Sequence, residues 1–135
     1  MKKVMVFGTF DALHPGHESF FKQAKQHGDF LIAVVARDKT VSKIKGRLPD
    51  FSEVERKKMV GQNKYVDLAV LGKYRNKHEI IGEHQPEVIC LGYDQTHFID
   101  NIESEIKKIG LETRVVRLKP YQAHIYKSSL LRLKK

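Results

Sequence analysis

His14 and His17 stand three residues apart in the run Gly8-Thr9-Phe10-Asp11-Ala12-Leu13-His14-Pro15-Gly16-His17. Four apolar residues, Val4-Met5-Val6-Phe7, precede the run, and an amphipathic segment follows it from Glu18. A buried strand, a tight turn and a helix start are therefore expected in immediate succession. Such a turn aims backbone N–H groups and two imidazole donors at one point, and a phosphate is the group that point suits. Gly8 lets the chain leave the strand sharply and lets a ligand approach the backbone. Pro15 and Gly16 hold the turn between the two rings. Zinc is the rival use of a histidine pair. Its further ligands would come from Asp11, Cys90, His97 and His124, none with a recognisable ligand spacing. Cys90 otherwise reads as a small core residue, and the isolated His27, His78 and His84 as surface or satisfied core positions.

The rest of the chain must supply the frame. Residues 3–8 and 30–36 are continuous apolar runs, as strands buried on both faces require. The helix expected between them, 18–27, is stopped by Gly28, giving a βαβ unit with a right-handed crossover. Residues 37–50 turn basic and read as a mobile loop with a short helix at 39–44. Ser52 and Glu55 form a capping box that opens a helix to residue 62. Strands are expected at 66–71, 88–91 and 113–118, and helices at 77–84 and 98–109, the latter with an isoleucine stripe and Gly110 as cap. Ser128 reads as the N-cap of a final basic helix, 129–135.

Alternating strands and helices imply a single α/β domain over residues 1–135, doubly wound and Rossmann-like, with a mainly parallel five-stranded sheet. Its carboxyl edge collects residues 8–17, 37–47, 92–95 and 119–129. Ligands of open α/β sheets bind at that edge.

Composition narrows the function. With 135 residues, 41% apolar and 30% charged, the chain suits a folded domain with a core of its own. No apolar run approaches the roughly 20 residues of a membrane helix. Met1-Lys2-Lys3 leads straight into a strand, so no signal peptide is expected. One cysteine suits a reducing cytoplasm. The formal charge is +9, and residues 111–135 hold seven Lys/Arg against one acid. Such charge serves a polyphosphate substrate or a solvated surface. Nucleic acid is not expected as a partner, because the five tyrosines are scattered and form no stacking platform among the basic residues.

The run Gly8-Thr9-Phe10-Asp11 with His14-Pro15-Gly16-His17 resembles the GTFD…HxGH signature of the cytidylyltransferase-like nucleotidyltransferases, the HIGH-type fold. The likeness extends over nearly the whole chain. Ser128-Ser129-Leu130-Leu131-Arg132 is similar to the family's second signature, a Ser/Thr pair opening a helix against the triphosphate. Within the superfamily, size and first motif also fit glycerol-3-phosphate cytidylyltransferases. The middle segments look more like archaeal-type FAD synthase: Val35-Ala36-Arg37-Asp38, Lys43-Ile44-Lys45-Gly46-Arg47, Glu55-Arg56, Asn76-Lys77 and Leu91-Gly92-Tyr93-Asp94-Gln95.

The resemblance implies transfer of AMP from ATP to FMN, giving FAD and pyrophosphate. The alternative is CTP-dependent transfer to glycerol 3-phosphate or another polyol phosphate. It implies that His14 and His17 stabilise charge on the phosphates, and that Thr9, Phe10, Pro15 and Gly16 line the nucleotide. Asp94 would contact the nucleoside, and Tyr121 would flank the base or phosphates. Ser128 and Ser129 would face the β- and γ-phosphates, with Lys43 or Arg47 closing over the leaving group. Mg²⁺ or another divalent cation would bridge the phosphates, and Asp11 is an orienting, metal-proximal or turn-forming residue. A cytoplasmic homodimer is the implied assembly.

Overall fold

The apolar runs pair side by side into one parallel sheet. The computed structural model describes residues 1–74, 78–93, 95 and 102–120. The strands are β1 (Lys3–Gly8), β2 (Phe30–Val35), β3 (Leu68–Leu71), β4 (Val88–Leu91) and β5 (Arg114–Arg117). They lie in the order β3-β2-β1-β4-β5, every pair parallel. The interleaved helices are α1 (Pro15–Lys25), α2 (Asp38–Lys45), α3 (Glu53–Gly61), α4 (Glu79–His84) and α5 (Ile102–Lys108). The architecture is doubly wound with a five-stranded parallel sheet, as expected from the sequence, and the structure supplies the strand order.

Because successive side chains of a strand point to opposite faces, each strand feeds two cores. Val4, Val6, Leu31, Ala33, Val35, Val88 and Cys90 pack with Phe21 and Ala24 of α1 and Val60 of α3. Met5, Phe7, Ile32, Val34, Ile89 and Leu91 pack with Ile80 and Ile81 of α4 and Ile102 and Ile106 of α5. Both faces are covered over β1, β2 and β4, which is why these three read as apolar runs, whereas the edge strands β3 and β5 are partly exposed.

Several boundaries differ from the sequence expectation. Helix α1 begins at Pro15, not residue 18, because the two histidines themselves form its cap. The basic stretch after β2 is largely helical: α2 spans Asp38–Lys45 and is closed by Gly46 at φ 81°. Gly28 is not the C-cap of α1, which is Gln26. It is small because a Cβ there would stand 2.6 Å from the Lys2 carbonyl oxygen. The first part of the expected third strand is a turn, with the Val66 amide bonded to the Asn63 carbonyl. The Ser52–Glu55 capping box is present as read. The expected helix 129–135 lies outside the described residues. No helix among the described residues is long and apolar enough to cross a membrane.

Candidate nucleotide-binding site

The turn after β1 is built around a phenylalanine. Phe10 adopts φ 53° and is buried. Its ring lies 5.2 Å from that of Phe21 and 6.3 Å from that of Phe20, with His17 edge-on at 5.6 Å. The ring folds back beneath Gly8, where an added Cβ would stand 2.5 Å from Phe10 Cζ. Gly8 is thus required by its neighbour's ring, a more specific reason than freedom to turn. Anchored from below, the turn keeps its backbone at the carboxyl edge of the sheet.

His14 and His17 close the start of α1 as a capping box. The Gly16 amide donates to His14 Nδ1 at 3.0 Å, and the His14 amide donates to His17 Nδ1 at 3.3 Å. The rings are 4.0 Å apart between centroids. An Nδ1 that accepts a backbone N–H carries no proton, so each neutral ring holds its proton on Nε2. The pair therefore offers two N–H donors on the sides of the rings turned from the amides they accept. Burial, and then the neighbouring His14, lower the His17 pKa to about 4. At neutral pH His17 is an uncharged donor, which keeps the capping geometry intact.

A polar lattice holds the turn from the other side. Arg56 is the buried charged residue among the described residues, with no exposed surface. Its guanidinium donates to the carbonyls of Thr9 at 2.8 Å and Phe51 at 3.0 Å, and to Asp38 Oδ1 at 2.6 Å. Arg37 bonds Glu53 and the Gly72 carbonyl and lies over the Tyr74 ring at 4.5 Å. Asp11 accepts from the amides of Asp50 at 2.8 Å and Phe51 at 2.9 Å. Burial would raise the Asp11 pKa, but those two amides and the charges of Arg56 and Arg47 outweigh it and lower the pKa. Sequence reasoning gave Arg56 no role. Its signal was available: it lies four residues before Val60, on the inward stripe of α3, where an arginine requires buried partners.

Strands β1 and β4 pair at Val4–Val88 and Met5–Ile89. Beyond this pairing Gln95 bridges the strand ends, donating from Nε2 to the Phe7 carbonyl and accepting the Gly92 amide on Oε1, both at 3.1 Å. Arg117 of β5 donates to the carbonyls of Gly92 and Gln95 at 2.7 and 2.8 Å. This is the topological switch point, where the crossovers leave β1 and β4 in opposite directions.

The structure thus gathers Thr9, Phe10 and Asp11 in the turn after β1, with His14 as the cap and Pro15, Gly16 and His17 as the first residues of α1. Lys43 and Arg47 are exposed on and after α2, and Arg47 lies 4.0 Å from Asp50. Asp94, Tyr121, Ser128 and Ser129 lie outside the described residues, as do His97 and His124. Cys90 is in the core and its thiol is pushed up to about 12, burial outweighing the Arg114 charge. Among the described residues no three His, Cys, Asp or Glu side chains are grouped to hold a metal ion.

A doubly wound domain with a histidine-capped turn at the switch point is the class that fold and geometry define. The chain belongs to the cytidylyltransferase-like family, whose model matches residues 5–134. It is 42% identical over 131 residues to the FAD synthase of Picrophilus torridus, covering 96% of this chain and 93% of that one. The FAD synthase of Aciduliprofundum boonei is 45% identical over 121 residues, with 90% and 80% covered. That of Thermoplasma acidophilum is 38% identical over 134 residues, with 99% and 94% covered. Among solved structures, a lipopolysaccharide core biosynthesis protein of Thermoplasma volcanium superposes with a TM-score of 0.84 at 38% identity, covering 90% of this chain and 99% of that one. A pantoate–β-alanine ligase of Francisella tularensis shares the fold at a TM-score of 0.63 and 15% identity, with 99% and 72% covered.

Proposed function

We propose that this chain transfers AMP from ATP to the phosphate of FMN, forming FAD and releasing pyrophosphate. The observation that carries the reading is similarity to three FAD synthases over 90–99% of the chain, at 38–45% identity. The geometry is compatible with it chemically. An FMN phosphate oxygen attacks the α-phosphorus in line, a new P–O bond forms, and the bond to the β-phosphate bridging oxygen breaks. The attacking oxygen is already anionic and needs no general base. Positioning and charge stabilisation are what the protein supplies. The Nε2–H groups of His14 and His17, with the start of α1, would donate to phosphate oxygens as charge develops.

Asp11 spends both carboxylate oxygens on amides and belongs to no group of three His, Cys, Asp or Glu side chains among the described residues. These residues do not form a protein cage for a cation. In this reading Mg²⁺ arrives on the triphosphate as part of the substrate, and no step is routed through it. The reading extends to a cytoplasmic homodimer, which sedimentation velocity would test for assembly.

The deciding experiment is a product assay with FMN and ATP, read as FAD and pyrophosphate, run beside CTP with glycerol 3-phosphate. FAD formation is expected. CTP turnover with glycerol 3-phosphate, and none with FMN, would replace the proposal by a polyol-phosphate cytidylyltransferase.

A further inference from the structure

Four of the nine exposed large apolar side chains among the described residues fall on one short stretch. Ile44, Leu48, Phe51 and Val54 are 37%, 62%, 38% and 68% exposed. Scattered surface apolar residues need no explanation, whereas a concentration of them marks a contact surface. Lys43, Lys45 and Arg47 are exposed within the same stretch. The stretch is also fastened to the phosphate turn: Asp11 accepts the Asp50 and Phe51 amides, and Arg56 joins the Phe51 and Thr9 carbonyls. Arg47 is near enough for its charge to act on Asp11. An apolar margin with cations beside it therefore adjoins the turn on the β2 side.

Resting on the FMN reading above, we propose that Leu48, Phe51 and Val54 form the acceptor seat, covering the planar aromatic ring system, while Arg47 and its neighbouring lysines draw the acceptor phosphate toward Thr9. The acceptor must place its phosphate at the turn and leave the remainder outside it. A polyol phosphate would set hydroxyls against these side chains and leave apolar surface wet. A flat fused ring buries that surface, and its phosphate matches the adjacent charge. The fastened Phe51 backbone limits the freedom lost on binding.

The test uses the full chain and the variants Phe51→Ser and Leu48→Ser/Val54→Ser. FMN binding is read by quenching of flavin fluorescence, ATP by its KM, and mass by light scattering. We expect FMN affinity to fall about tenfold or more, as loss of anchoring side chains does. The ATP KM should stay within about twofold of wild type, with mass unchanged. Riboflavin, which keeps the ring and lacks the phosphate, should compete with FMN where glycerol 3-phosphate does not. Unchanged FMN affinity in both variants overturns the seat, even if the wild type makes FAD. Lower affinity accompanied by a lower mass overturns it in favour of a contact between copies. FMN binding that the variants weaken at constant mass, without FAD formation by the wild type, upholds the seat and overturns the reaction.

Discussion

Asp38 and Glu53 close each other's helices. The Asp38 amide donates to Glu53 Oε1 at 2.8 Å, and the Glu53 amide donates to Asp38 Oδ2 at 3.3 Å. Each is the first residue of its helix, α2 or α3, so one free N-terminal amide of each helix meets the other's carboxylate. The outer oxygens engage Arg56 and Arg37. The pair thereby ties the helix after β2 to the lattice that holds Thr9.

The two carboxylates are not equivalent, because their arginines are not. Arg56 has no exposed surface, whereas the Arg37 side chain is 26% exposed. Asp38→Ala should therefore cost about 3 kcal/mol, leaving a buried guanidinium short of its anion. Glu53→Ala should cost about 1 kcal/mol, the loss of a cap and a partly solvated pair. Urea unfolding of both variants checks the order; equal losses would contradict it.

His14 combines a cap with a proposed chemical role, and asparagine separates them. Asn caps helices well but lacks the second ring N–H. His14→Asn should stay within about 1 kcal/mol of wild-type stability and lose about 10²-fold in turnover. Stopped assays of product formation, beside thermal melts, measure both. Full activity in His14→Asn would reduce the ring to a structural cap.

Gly8→Ala should destabilise by about 1–3 kcal/mol, because the methyl meets a ring held in a packed cluster. Shortening that ring by Phe10→Leu in the same chain should recover part of the loss. A double-mutant cycle gives the coupling. Purely additive effects would mean the ring is not what excludes the side chain.

His17 carries a pH signature with a definite sign. Its folded pKa is about 4 against an ordinary 6.5. The unfolded chain therefore binds more protons between those values. The contribution of His17 to stability is complete above about pH 6.5 and is lost as pH falls toward 4. NMR titration of the ring should give a midpoint near 4. A midpoint near 6.5 would show that the ring is neither as buried nor as engaged as the structure has it.

Local rules made much of this legible. Apolar runs that need burial on both faces announced β1, β2 and β4, and alternation with helices implied the parallel sheet. Ser52 and Glu55 declared their own helix start, since a capping box is complete within four residues. The histidine turn stood out because its glycine, proline and imidazoles lie within one short segment. What remained hidden was long-range. That the histidines would serve as the α1 cap, Arg56 would reach Thr9, or Gln95 would span β1 and β4 depends on atoms distant in sequence or on one chosen ring geometry. So does the reason for Gly8: a glycine can be read as a turn, but only packing reveals that it makes room for the ring of Phe10. Periodicity and capping act over a few residues and are written in the sequence, whereas the satisfaction of buried polar groups is settled only when the strands come together.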